Sequence, residues 1–167
     1  MRKFIRLQKG QTLVEITLAM GVASIVIVGL SILAISSLKN AQDAVRRSES
    51  QKFANAGVEA VLFFKNSQGF NDAIFPAVGT TAFYCMDSSA VLISDTDPNC
   101  PHNPDTTIDP NGDQVISPTT GLAYYRVLSI ERLDDDNMRV VSTILWEDTQ
   151  GVKTVSVPRD ITNWRRN

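Results

Sequence analysis

The stretch "LQKGQTLVEITLAMGVASIVIVGLSILAISSL", residues 7–38, decides the fold. Its run from Ile16 to Leu38 holds 23 residues without a charge. As a helix that run measures about 35 Å, enough to cross a hydrocarbon core of about 30 Å with some tilt. Arg2, Lys3, Arg6 and Lys9 precede it with no acid among the first ten residues, so the basic end is expected in the cytoplasm and everything after Leu38 outside. Glu15 stands at the very edge of the apolar run, five residues after Gly10.

Two general readings of this N-terminus come first. A removable secretory signal is one, with Ala34-Ile35-Ser36 supplying small residues before a cut at Ser37, but the apolar run is longer than the usual core of about 7–15 residues. A plain signal anchor is the other, with Glu15 an interfacial acid that reaches the headgroups. The anchor accounts for the span. It leaves the Lys-Gly pair and the acid after it unexplained.

The segment "KGQTLVEITLAMGVAS", residues 9–24, closely resembles the N-terminal signature of type IV pilins and pseudopilins, the class III signal peptide: a short basic leader ending in Gly, a cut, then Thr-Leu-Val-Glu opening an apolar helix. The resemblance covers residues 8–38 and is architectural beyond them. It implies a leader of residues 1–10 removed by a prepilin peptidase between Gly10 and Gln11, and it makes Glu15 the fifth residue of the mature chain. It further implies storage in the cytoplasmic membrane, then assembly with other subunits into an extracellular pilus or a periplasm-spanning pseudopilus. Where the family usually opens on a methylated Phe this chain has Gln11, so N-methylation and cyclisation of Gln11 stand as alternatives. Ile32 replaces the Pro that many major pilins carry, leaving Gly21 and Gly29 as the helix weakeners.

The motif also has a physical sense. A peptidase at the membrane face needs an unhindered scissile peptide beside a positive anchor, and Gly10 has no side chain to obstruct it. An ionised acid in an apolar segment costs roughly 2.5–3.5 kcal/mol at a helix centre and less near an end, unless it finds a partner. The α-amine of Gln11 on a neighbouring subunit is such a partner for Glu15. Were Gln11 cyclised, Thr12 would be the alternative donor.

Residues 39–66 continue the helix without Pro. Leu38, Ala41, Val45, Ser48, Phe53/Ala54, Gly57/Val58 and Val61/Leu62 recur near a 3.5-residue period, with Lys39, Asp43, Arg46, Arg47, Glu49 and Lys52 on the other faces. Asp43 has Arg46 and Arg47 at pairing distance along a helix. One helix is expected from Thr12 to about Lys65, its outer half amphipathic and laid on a sheet.

From residue 67 to 167 the period changes to two. "TTAFYCMD" (80–87), "AVLIS" (90–94), "LAYYRVLSIERL" (122–133), "MRVVSTILWE" (138–147) and "VKTVSVP" (152–158) read as strands, the last three joined by "DDDN" and "DTQG" into an antiparallel meander. The expected fold is therefore α+β, a long N-terminal helix on a small antiparallel sheet, which is also the pilin arrangement. Residues 94–121, rich in Asp, Asn, Pro and Gly, read as loop.

Cys85 and Cys100 are expected to join in an oxidising compartment outside the membrane, the loop closure contributing about 3 kcal/mol. With His102 they give only three ligands for zinc, without paired short spacing. Asp109, Asn111 and Asp113 place oxygens at alternating positions, as calcium loops do, and Asp95, Asp97 and Asn99 repeat the pattern; turn-forming Asx residues are the competing account. With one histidine and no phosphate cradle or nucleophile elbow, the chain reads as no enzyme and as needing no cofactor beyond that calcium alternative. The formal charge is −2, and without the four leader cations the chain carries 12 basic against 18 acidic residues, so no nucleic-acid partner is expected. The readings that compete with a pilus subunit are a pseudopilin of a type II secretion or DNA-uptake system and a monomeric single-span protein displaying a binding domain.

Overall fold

The computed structural model describes residues 11–70, 72–86, 92–94, 100 and 113–163. Its first element, α1, is a single helix from Gln11 to Gln68. At 58 residues it measures about 87 Å. It ends at Gly69, whose φ of 104° lets its N–H turn back to the Lys65 carbonyl at 2.9 Å, a left-handed cap that only glycine adopts without strain.

The chain divides into two compact units, Met1–Val45 and Arg46–Asn167. In the first, every residue from 13 to 45 is exposed, and Leu13 to Gln68 contains the one stretch of helix among the described residues apolar and long enough to be a candidate membrane span. Three of the hydroxyls there are satisfied locally. Thr17 donates to the Val14 carbonyl at 2.9 Å, and Ser24 and Ser31 donate to those of Met20 and Ile27 at 2.8 Å, so none of the three demands water.

In the second unit the helix from Arg46 onward lies on a six-stranded antiparallel sheet. The strands are β1 (Thr81–Met86), β2 (Leu92–Ser94), β3 (Asp113–Ile116), β4 (Ala123–Arg132), β5 (Asn137–Asp148) and β6 (Gly151–Thr162). They run in the order β2-β1-β4-β5-β6, with β3 also on β4. Two partners share the same β4 edge: β3 takes its first half, pairing Asp113 with Arg126 through Ile116 with Ala123, and β1 takes the second, pairing Thr81 with Glu131 through Tyr84 with Leu128. The β5–β6 hairpin pairs without a break from Asn137–Thr162 to Asp148–Gly151.

Alternation fixes the inner face. On β4 the buried side chains are Tyr124, Arg126, Leu128 and Ile130, and on β5 they include Met138, Val140, Ser142, Ile144 and Trp146. Val58 and Val61 of α1 pack with Leu128, Ile130, Met138, Val140, Tyr84 and Phe75. Ala54 packs with Tyr124, Ile144 and Trp146. Between these clusters the helix comes closest to the sheet at Gly57: a β-carbon there would stand 2.7 Å from Ser142 Oγ and 3.0 Å from both Arg126 Cδ and Leu128 Cδ2.

The α+β arrangement is the one expected, with three differences in detail. Residues 113–116, read as loop, form β3, because Val115 packs against the Tyr124 cluster while the four residues pair with Ala123–Arg126. The last strand does not stop at Pro158 but runs to Thr162; β6 is an edge strand, so the missing proline N–H falls on the open side of the ladder. The buried stripe of α1 also departs from its predicted line. Ser48 and Val45 are exposed, whereas Glu49 and Ser50 are buried, because counting back from Ala54 in steps of four reaches Ser50 and Arg46.

Candidate functional site

The predicted assembly residues lie at the start of α1. Gln11 and Thr12 open the helix, and Glu15 is exposed one turn on, among exposed Leu13, Val14, Ile16 and Leu18. Ile25, in the middle of the span, is 74% exposed, and none of the most apolar window is buried. A helix apolar on all sides has no stable place in water. It belongs in lipid or among other apolar helices. Glu15 is the only acid between residues 11 and 42, so whichever environment takes the helix must accommodate that one carboxylate. Gly10 lies outside the described residues.

Further along α1, the structure brings together a group that hydropathy could not flag. Glu49 is 8% exposed, and its Oε1 accepts a hydrogen bond from Ser117 Oγ at 2.9 Å. Its Oε2 accepts from Tyr124 Oη at 3.0 Å and from Thr120 Oγ1 at 3.3 Å. Ser117 Oγ itself accepts the Thr119 and Thr120 amides at 3.2 and 3.1 Å, and the Gly121 amide donates to the Ser117 carbonyl at 2.9 Å. The turn between β3 and β4 is thereby fastened to the helix by one carboxylate. Burial pushes the Glu49 carboxyl up, but the hydroxyls of Ser117, Tyr124 and Thr120 together outweigh it and hold the group below the ordinary carboxylate range. Burial and the adjacent Glu49 push the Tyr124 phenol up to about 12.

One turn earlier, Arg46 donates to Asp148 Oδ1 at 2.8 Å, tying the same helix to the β5–β6 hairpin. This replaces the expected local pairing of Arg46 with Asp43: the partner 102 residues away is offered by the sheet. The Thr149 amide, with Arg46 beside it, holds the Asp148 carboxyl below its usual value. Phe53 and Trp146 flank the Tyr124 ring at 5.3 and 6.0 Å between centroids, walling the Glu49 group with aromatic surface.

Cys85 and Cys100 form a disulfide with 5.5 Å between their α-carbons, as their spacing predicts. Of the three oxygens read as a calcium set, Asp109 and Asn111 lie outside the described residues, as do Asp95, Asp97, Asn99 and His102. Asp113 has another role. Its Oδ2 accepts Arg126 Nε at 2.7 Å and the Met86 amide at 3.2 Å, both side chains of the ion pair being more than nine-tenths buried. It therefore joins β3 to the end of β1, next to the disulfide, where the β4 edge passes from one partner to the other. A cation on Oδ2 would have to compete with a guanidinium already there. Among the described residues no three His, Cys, Asp or Glu side chains come together as metal ligands.

Comparison with known proteins returned no matching family model, no matching curated protein and no matching solved structure.

Proposed function

We propose that this chain is a pilin-like structural subunit of a type IV pilus-type filament, stored in the cytoplasmic membrane with its basic end inside and its sheet unit outside, trimmed after Gly10 by a prepilin peptidase, and assembled through the apolar half of α1. The observation that carries this reading is the combination at the start of the helix: an apolar surface exposed on every side, interrupted by Glu15 alone, directly after a basic leader ending in Gly10. A simple anchor needs the span but gains nothing from the acid. In a bundle of subunits the carboxylate meets an N-terminal amine in an apolar setting, where an unmatched charge is expensive, so Glu15 selects one register of docking. The disulfide supports an oxidising compartment for the sheet unit.

Co-expression with a prepilin peptidase tests the first step. The membrane-extracted chain should lose its first ten residues and start at Gln11, and Gly10→Val should block the cut. A chain that still starts at Met1, or one that starts at Ser37, contradicts the proposal.

A further inference from the structure

The Glu49 group serves no step of the proposed assembly, yet it concentrates a buried charge, three hydroxyl side chains and a turn in one place. We infer that the Ser117–Gly121 turn is an acid-releasable latch, held closed on α1 by the Glu49 carboxylate.

The hydrogen bonds of this group all run toward the carboxylate. Ser117 Oγ accepts two backbone amides, from Thr119 and Thr120, so its single proton is committed to Glu49 Oε1. Tyr124 and Thr120 both direct their hydroxyls at Oε2. The carboxylate thus receives three hydroxyl protons and gives none. Protonated Glu49 brings a fourth proton into a site where every hydroxyl proton already points at it. The new O–H needs an acceptor, a hydroxyl that takes that proton turns its own away, and the charge-assisted character of the remaining bonds is lost. If Ser117 turns, the support for the Thr119 and Thr120 amides goes with it, and the turn opens at the residues that face solvent: Thr119 and Thr120 are exposed, while Ser117 is 1% exposed.

The neighbouring charges set the polarity of the switch. On α1 itself Arg46 and Lys52 stand one turn either side of Glu49, the latter exposed. Arg46 is neutralised by Asp148 from β5. From β4 the facing titratable group is Tyr124, which stays protonated through the acid range. Among the described residues no second carboxylate takes a hydrogen bond from Ser117, Thr120 or Tyr124, so loss of the Glu49 charge is the event that unlocks the turn. Because the other side of the cluster is apolar, the sheet beneath remains packed when the turn lifts.

Amide hydrogen exchange on the full chain in detergent micelles tests this, with rates corrected for the intrinsic effect of pH. Between about pH 7 and about pH 3, protection at Thr119, Thr120 and Gly121 should fall by about tenfold or more while that of Ile144 and Val140 in β5 holds. Glu49→Gln, which keeps the shape without the charge, should show the low protection of the turn already at neutral pH and no further change on acidification. Protection of the turn that persists to about pH 3, or that falls only together with the β5 amides, overturns the latch. The wild-type titration alone decides the matter should the variant fail to fold.

Discussion

Between Leu13 and Val45 every side chain of α1 is exposed, whereas from Arg46 on almost every turn sets at least one side chain into the sheet unit. The backbone is the same helix throughout. The difference lies in where the free energy of the side chains is collected. The first stretch leaves its apolar surface exposed, and three of its hydroxyls fold back onto carbonyls of the same helix. The second has its partner built in, and admits polar residues, Glu49 and Arg46, because the sheet supplies their counterparts. Apolarity thus marks the half that is unpartnered, and the half that is partnered is the more polar one.

The largest difference should appear on truncating a leucine in each half. Leu128 of β4 lies fully buried against the helix, so Leu128→Ala should destabilise the sheet unit by about 2–5 kcal/mol in denaturant titration of the micelle-bound chain. Leu30→Ala, at a position 61% exposed, should leave that transition unchanged. A comparable loss from Leu30→Ala would mean that the first stretch is packed within the same chain.

Breaking the disulfide should come next. Cys100→Ser releases a loop spanning 15 positions and should lower the stability of the sheet unit by about 3 kcal/mol, with the helicity of the first stretch unaltered. Circular dichroism and denaturant titration together would separate the two.

Glu49→Gln should cost about 1–3 kcal/mol at neutral pH, since its amide replaces one acceptor oxygen by an N–H donor that faces hydroxyls already donating. The sign of the pH dependence follows from the depressed carboxyls. Glu49 and Asp148 titrate in the folded chain below their ordinary values of 4.5 and 3.8, so the stability they add is complete above those values and is lost as pH falls through the lower, folded ones. The acid limb of the wild-type unfolding curve should flatten in Glu49→Gln and be steepest in the wild type.

The smallest effect sharpens the comparison most, because one substitution should act oppositely in the two halves. Gly57→Ala gains about 1 kcal/mol of helix propensity but forces its methyl against Ser142, Arg126 and Leu128, an overpacking that costs about 1–3 kcal/mol, so the net effect should be a modest loss. Gly21→Ala meets nothing within 4 Å and should keep the propensity gain. Equal effects at both sites, read from thermal unfolding, would argue against a close approach at Gly57.

What could be read from the sequence divides along the same line. The apolar run from Ile16 to Leu38, the change to a two-residue period and the hairpins at residues 134–137 and 148–151 were all legible, because burial and turn chemistry write themselves into residue type. The inner stripe was legible from Phe53 to Val61 for the same reason. It became illegible at Ser50, Glu49 and Arg46, where polar residues continue the buried face: Glu49 and Arg46 are revealed only by partners at least 68 positions away in the chain, and Ser50 donates to the Arg46 carbonyl of its own helix. Asp113 misled in a related way: an Asp two residues after Asn111 signals a turn or an ion site, yet Arg126 lies directly across the ladder and takes the carboxylate. Spacing along the chain carries no record of such a pairing.

The proposed role of the first stretch turns on Glu15, and incorporation of Glu15 variants into filaments tests it most directly. Surface filament content should be measured for wild type, Glu15→Gln and Glu15→Leu, with processed chain in the membrane as the control. Leader cleavage and membrane insertion should persist in both variants while incorporation falls, more for Leu than for Gln because Leu removes the hydrogen-bond acceptor as well as the charge. Wild-type incorporation by both variants would contradict an assembly role for Glu15 and return the helix to a plain membrane anchor.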